Sequence, residues 1–334
     1  MQRGSKRRHA VALMLLGLPL CLPPSARALP APRFEAVTLL TPTGILHGTL
    51  ELPKRRGPYP VALIIAGSGP TDRNGNDAAA GLETNCYLEL ADALARDGIA
   101  SLRYDKRGSG QDSLLSVPRF GRFVSDAVRW GRWLEKDPRF SSLTVIGHSE
   151  GSLVGMLAAP KLAAAGYVSI AGAGRPVGQV LLTQLKPKLT PALYKTAESI
   201  IASLEHGRTI DQVPTSLDAL FRPSIQPFLI GWMAYQPMSI IARLKQPTLI
   251  IQGERDIQVE PLDARMLAKA DPGARLVLIP GMNHVFKDVG PSMQANLQSY
   301  GDPRLPIDPT LTRSIAHFIL TLNPLLGVHH AHAH

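Results

Sequence analysis

The sequence predicts an α/β protein built on a doubly wound, mostly parallel sheet with an inserted, mainly helical cap. Three observations carry that expectation. Val61-Ala62-Leu63-Ile64-Ile65-Ala66 is continuously apolar, as a strand covered on both faces must be. Helical periodicities alternate with such runs, and helices of this length between strands are crossover connections, which make neighbouring strands parallel. From residue 172 to 245 the alternation gives way to longer stretches interrupted by Pro187, Pro191, Pro214, Pro223, Pro227 and Pro237, and then it resumes.

The elements follow in order. Residues 1–28 read as an export signal: Arg3, Lys6, Arg7 and Arg8 precede an apolar stretch from Val11 to Leu22, and Ala26-Arg27-Ala28 is a small-x-small cleavage site. Residues 29–171 form the first part of the core. Phe34 to Leu40 and Gly44 to Glu51 alternate around the turn signal Thr41-Pro42-Thr43-Gly44 and predict an antiparallel pair. The buried strand at Val61 ends at Gly67-Ser68-Gly69-Pro70. Leu88, Ala91, Leu94 and Ala95 share one side of a helix predicted from Glu83 to Arg96, closed by Asp97-Gly98. Strands at Ile99 to Tyr104, Leu143 to Ile146 and Tyr167 to Ala171 alternate with helices at Phe120 to Lys136 and Glu150 to Ala165. Residues 172–245 are the cap. Its Leu229, Ile230, Trp232, Met233, Tyr235 and Met238 either line an acyl or aromatic pocket or seal the cap onto the core. Residues 246–322 complete the core with strands Pro247 to Gln252 and Arg275 to Ile279 and helices Leu262 to Ala270 and Leu311 to Leu322. Residues 323–334 are a histidine-rich tail whose composition predicts disorder rather than a metal site.

Composition removes several classes of function. The net charge of +10 falls to +5 once the signal and its five basic residues are removed, and the remaining cations are scattered among acids, so nucleic acid is not the expected partner. No stretch beyond the signal is apolar and long enough to span a membrane. Cleavage also removes Cys21, which leaves Cys86 without a disulfide partner, and its place in an apolar helical pattern predicts a buried residue. No cofactor and no metal are expected.

Gly147-His148-Ser149-Glu150-Gly151 lies between the apolar Leu143-Thr144-Val145-Ile146 and a helical pattern. That is the setting in which a sharp strand-to-helix turn exposes a serine nucleophile. A hydroxyl is a weak nucleophile without a base, and a histidine serves best when an anion fixes its tautomer. In a doubly wound sheet the loops after the strands converge at one edge. Asp256, in Gly253-Glu254-Arg255-Asp256, and His284, in Gly281-Met282-Asn283-His284, both follow strands at that edge. Glu254 is the competing carboxylate. His148 adjoins the serine but is expected to point into the structure as a packed, hydrogen-bonded residue. The negative oxygen of an acyl-transfer intermediate needs preset donors. The amide of Glu150 is one, and Ser68, with Gly69 as alternative, supplies the other. Asp72 and Arg73 are expected to brace that loop as a charge-assisted pair, and the loop lacks the Gly-Lys-Ser/Thr of a phosphate-binding loop.

With these motifs in place, the chain resembles the α/β-hydrolase fold family over residues 35–322, and within it the exported bacterial serine esterases and the related serine-aminopeptidase-like hydrolases. The resemblance rests on residues 67–76, on Arg103-Tyr104-Asp105-Lys106-Arg107-Gly108-Ser109-Gly110, on the pentapeptide at Ser149 and on the segments ending at Asp256 and His284. It implies nucleophile, acid and base at those three residues, an oxyanion loop at Gly67 to Pro70 and a structural loop at Arg103 to Gly108. The expected function is hydrolysis of small-molecule carboxylic esters through an acyl-enzyme, in the periplasm or outside the cell. A serine peptidase or amidase and a thioesterase are the alternatives, and a non-catalytic binding protein on the same scaffold is the rival of another class.

Overall fold

The computed structural model describes residues 33–112 and 119–322, so the segment read as an export signal and the histidine-rich tail lie outside the described residues. The chain opens with β1 (Arg33–Thr41) and β2 (Gly44–Leu52), paired antiparallel as the alternation required. β3 (Tyr59–Ile65) is buried along its whole length. A two-residue ladder, β4 (Asn76–Asp77) with β5 (Leu82–Glu83), precedes α1 (Cys86–Arg96). Then come β6 (Ala100–Tyr104), α2 (Phe120–Glu135), β7 (Phe140–His148), α3 (Glu150–Ala158) and β8 (Ala164–Ile170). Five helices follow before the sheet resumes: α4 (Val177–Leu185), α5 (Pro191–Glu205), α6 (Thr215–Phe221), α7 (Gln226–Met233) and α8 (Pro237–Ile241). β9 (Thr248–Gly253), α9 (Pro261–Ala270), β10 (Arg275–Ile279), α10 (Met293–Gln298) and α11 (Pro309–Thr321) close the chain.

The main sheet has eight strands in the order β1-β2-β6-β3-β7-β8-β9-β10. Its first two pairings are antiparallel and the rest parallel. β3 lies between β6 and β7, so the chain leaves β3 toward one side and returns to its other side. That reversal makes the C-terminal ends of β3 and β7 the crevice where ligands bind in such sheets.

Side-chain alternation assigns two cores to the two faces. Val61, Leu63 and Ile65 of β3 join Trp130 of α2, Val154 of α3 and the cap helices. Ala62 and Ile64 pack on the other face with Leu90 and Leu94 of α1 and Ile315 and Ile319 of α11. Burial of each such aliphatic side chain stabilises the fold by about 1.5–3 kcal/mol. Both faces are therefore covered, which is why the strands read as unbroken apolar runs.

Some elements differ from expectation by more than a residue or two. α1 starts at Cys86 rather than Glu83, because Leu82 and Glu83 are taken by the short ladder and Asn85 adopts a left-handed φ of 51°. The Asn76 side chain holds that turn by accepting from the amides of Thr84 (2.8 Å) and Asn85 (2.9 Å). α3 ends at Ala158 rather than Ala165, giving way to a 3-10 turn at Ala159–Lys161 with Pro160 inside it, and β8 starts at Ala164. α10 was not anticipated at all.

Candidate active site

Ser149 sits where β7 turns into α3. Its backbone adopts φ 53° and ψ −119°, a conformation that costs a non-glycine residue about 1–3 kcal/mol and persists only where the surroundings enforce it. Its N–H donates to the Ile170 carbonyl (2.9 Å), and its own carbonyl accepts from the Ser152 N–H (2.9 Å). The flanking glycines are required by space. A Cβ on Gly147 would lie 2.2 Å from the Gly151 carbonyl oxygen, and one on Gly151 would lie 2.3 Å from that of Ile65. The elbow is thus crowded on every side except that of the cavity, whose wall Ser149 joins.

Asp256 and His284 come from the loops after β9 and β10 and meet. His284 Nδ1 lies 2.8 Å from Asp256 Oδ2, and both side chains are buried. The Gln252 amide donates to the same oxygen (3.0 Å), while Oδ1 accepts from the amides of Gln258 (2.8 Å) and Val259 (2.9 Å). A carboxylate accepts only, so Nδ1 carries the imidazole proton and Nε2 of the neutral ring is left as an acceptor. Glu254, the competing carboxylate, is instead exposed and faces Arg265 at 3.8 Å. Ser149 Oγ makes no hydrogen bond to His284 among the described residues; nucleophile–base bonds are often long before substrate binds.

The Gly67 loop and the backbone of His284 are connected by a buried route. The Gly67 amide donates to the Tyr87 hydroxyl (2.9 Å), which donates to His148 Nδ1 (2.6 Å), and His148 Nε2 donates to the His284 carbonyl (3.0 Å). Each donor in this route has one acceptor, which fixes His148 in its Nε2–H tautomer. Burial, and then repulsion from His284, push His148 well below the ordinary imidazole range, so it stays neutral. Burial raises the Tyr87 hydroxyl well above the usual phenol range. His148 is thus the packed residue expected of it.

A cavity of about 510 Å³ opens over Ser149. Its floor carries Ser68, Gly69, Lys106 and Glu150, and its cap side carries Val180, Leu181, Phe228, Leu229 and Trp232. Neither the Ser68 nor the Gly69 amide has an acceptor among the described residues. Lys106 Nζ donates to Glu150 Oε1 (3.0 Å) and to the Gly67 carbonyl, and lies 5.0 Å from the centre of the Phe123 ring. The pocket and packing readings of the cap each hold in part. Leu229 and Trp232 line the cavity, whereas Met233 is buried in the core and Ile230 and Tyr235 pack against it.

Asp72 and Arg73 do brace the segment that follows Gly67 to Pro70, but not as a pair. Asp72 Oδ1 accepts from the amides of Asn74 (2.8 Å) and Asn76 (2.9 Å), closing a local turn. Arg73 reaches across to Asp105 (2.5 Å), whose carboxylate also accepts the Arg73 amide (2.8 Å) and the Gln111 amide (2.9 Å). Adjacent side chains leave an irregular turn in different directions, and each found a partner on its own side. Among the described residues no group of three or more His, Cys, Asp or Glu side chains is arranged to hold a metal ion, and no helix is long and apolar enough to cross a membrane.

The family described as serine aminopeptidase, S33, matches residues 80–287. The chain belongs to that family. Esterase EstD of Thermotoga maritima is 29% identical over 247 residues, covering 72% of this chain, and the chain spans only 58% of that protein's length. Among solved structures, Est1E from Butyrivibrio proteoclasticus with bound ferulic acid superposes with a TM-score of 0.61 at 18% identity, covering 86% of this chain and 99% of that one. The Pyrococcus furiosus esterase Pf2001 gives 0.54 at 15%, covering 86% and 92%. At such identities these structures establish the α/β-hydrolase fold. The S33 match takes in Ser149, Asp256 and His284 and begins after the Ser68 loop.

Sequence reasoning missed two pairings in this member of the family. Lys106 and Glu150 were each part of a motif, but nothing in the sequence joined them across 44 residues. Tyr87 fell inside the helix predicted from Glu83 to Arg96, and nothing in the sequence joined its hydroxyl to His148, 61 residues away.

Proposed function

We propose that the protein is an exported carboxylic-ester hydrolase that works through a Ser149 acyl-enzyme. His284 Nε2 takes the Ser149 proton as Oγ attacks the ester carbonyl, and Asp256 stabilises the resulting imidazolium. The developing oxyanion is held by the amides of Glu150 and Ser68, with Gly69 beside them. His284 then returns the proton to the leaving alcohol. In the second half it deprotonates a water that attacks the acyl carbon, which releases the acid and restores the Ser149 hydroxyl. Export to the periplasm or beyond rests on the reading of residues 1–28.

The observation that carries the ester reading over an aminopeptidase is the charge on the cavity wall. A site that grips a free peptide amine needs an unpaired carboxylate. Glu150 is the acid lining this cavity, and Lys106 already neutralises it at 3.0 Å. Glu198 and Asp218 of the cap segment are exposed and do not line it. The cap wall is mainly apolar, which suits the acyl part of an ester, and the name of the Thermotoga relative agrees. The test is a hydrolysis screen of short-chain, long-chain and aryl esters beside aminoacyl amides. Ester turnover is expected to dominate and to disappear in Ser149→Ala with the fold intact. Retained turnover in that variant, or preference for aminoacyl amides, overturns the reading.

A further inference from the structure

We propose that Lys106 is the positioning residue of the oxyanion hole, one ammonium orienting both of its donors. The inference rests on the ester-hydrolase reading above. It begins with the peptide unit between Gly67 and Ser68. In a trans peptide the carbonyl and the following N–H point in opposite directions. Lys106 Nζ holds the Gly67 carbonyl oxygen, so the Ser68 N–H is turned away from the ammonium. The Gly67 amide is tied down separately by the Tyr87 hydroxyl at 2.9 Å, which pins the preceding peptide unit. The next unit is held in the same manner, because Thr71 Oγ1 donates to the Ser68 carbonyl (3.2 Å). Gly69 supplies the φ of 82° that the turn needs, and a Cβ there would meet only Thr71 Oγ1 at 3.9 Å.

The same ammonium grips the other donor. Glu150 is the first residue of α3, and its amide is the donor next to the nucleophile. Its carboxylate receives Lys106 at 3.0 Å, with both side chains almost fully buried at 3% and 2% exposure. A buried cation without partners is strongly disfavoured, so the carboxylate and the carbonyl together hold the ammonium where it is. Phe123 beneath it adds a ring face at 5.0 Å. Lys106 thus ties the end of β3 to the start of α3, the two backbone segments between which the oxyanion forms. Among the described residues it makes no hydrogen bond to Ser149 Oγ, and it has no part in proton transfer.

The experiment uses the purified full chain with 4-nitrophenyl butyrate as substrate, butylboronic acid as a transition-state analogue and butyrate as a ground-state ligand. Lys106→Met is expected to lower kcat about 30- to 300-fold, somewhat less than the roughly 100- to 1,000-fold loss when an oxyanion donor is removed outright, because the donors are misaimed rather than deleted, with KM within about twofold. Boronate affinity falls in parallel while butyrate affinity holds, and Lys106→Arg restores part of both losses. A merely structural lysine would not make boronate affinity track kcat. Where Lys106→Met does not fold, Lys106→Gln decides: it keeps a donor for the Gly67 carbonyl without the charge, and the same parallel loss is expected at smaller size. Wild-type kcat in a folded variant, or boronate affinity that stays constant while kcat falls, overturns the proposal. Ser149→Ala separates the two claims. If it retains turnover, the ester-hydrolase reading fails; if it is inactive while the Lys106 variants keep wild-type kcat, only this inference fails.

Discussion

Ser149, His284 and Asp256 were legible because each follows an apolar strand and bears a side chain with one obvious chemical use. The side chains that hold them were not, because their roles exist only in the contact. Tyr87 is the clearest example. Its hydroxyl accepts from the Gly67 amide and donates to His148 Nδ1, so it sits between the oxyanion loop and the backbone of the base. Tyr87→Phe leaves both groups buried without partners, a loss of about 1–3 kcal/mol. It also frees His148 to take its other tautomer, which would turn an Nε2 lone pair toward the His284 carbonyl it now serves at 3.0 Å. We expect a lower Tm and a kcat reduced by roughly tenfold, corresponding to about 1.4 kcal/mol in the barrier. His148→Gln, whose side-chain amide can still donate to that carbonyl, should retain more activity than His148→Leu. Tyr87→Phe with wild-type Tm and kcat would show that the route does not hold the site.

At the scale of elements, prolines explain what the sequence left unresolved. Those in the cap were read as breaks in the rhythm, yet Pro191 and Pro237 open α5 and α8, and Pro227 stands in the first turn of α7. Proline is suited to a helix start because the N–H it lacks would have no intrahelical partner there. α10 escaped notice for another reason: six residues give too few turns for an apolar period to emerge. Core strands were read within a few residues because burial on both faces leaves no polar position to obscure them. α7 also carries the prediction at this scale. Its Phe228 and Trp232 are four residues apart and share a face, with Trp232 stacked on Phe120 of α2 at 5.9 Å and an interplanar angle of 5°. Both line the cavity. Trp232→Ala should lengthen the acyl chain that is hydrolysed best and lower kcat/KM for aryl-acyl esters about tenfold, as loss of a ring contact of 1.5 kcal/mol or so predicts, while acetate esters change less than about twofold. An unaltered profile across acetate, octanoate and benzoate esters would remove the cap wall from substrate selection.

The stability of the whole molecule is expected to respond to pH through one buried carboxyl group. Glu51 on β2 is fully buried, and its Oε2 accepts from Arg103 Nη1 of β6 at 2.8 Å. Its Oε1 has no partner as a carboxylate among the described residues, but in the protonated acid that oxygen can donate to Asp92 of α1. Burial first, and then the hydrogen bond with Asp92, push the Glu51 carboxyl up to about 7 against an ordinary value of 4.5, over the opposing pull of Arg103. The folded state therefore holds this proton more tightly than the unfolded chain does. The stabilisation is fully present below about pH 4.5 and is lost as pH rises through about 7. With screening allowed for, the effect is about 2 kcal/mol between pH 4.5 and 8. Glu51→Gln removes the titration while keeping the shape, and its amide can donate to Asp92 at every pH. The variant starts from a different baseline because Arg103 loses its charged partner, so the slope is the quantity to compare. Chemical denaturation at intervals from pH 4.5 to 8 should give the wild type the steeper decline, with the two curves diverging by roughly 2 kcal/mol. Parallel curves would mean that the carboxyl is ionised in the folded protein throughout that range and that Arg103 alone settles its charge.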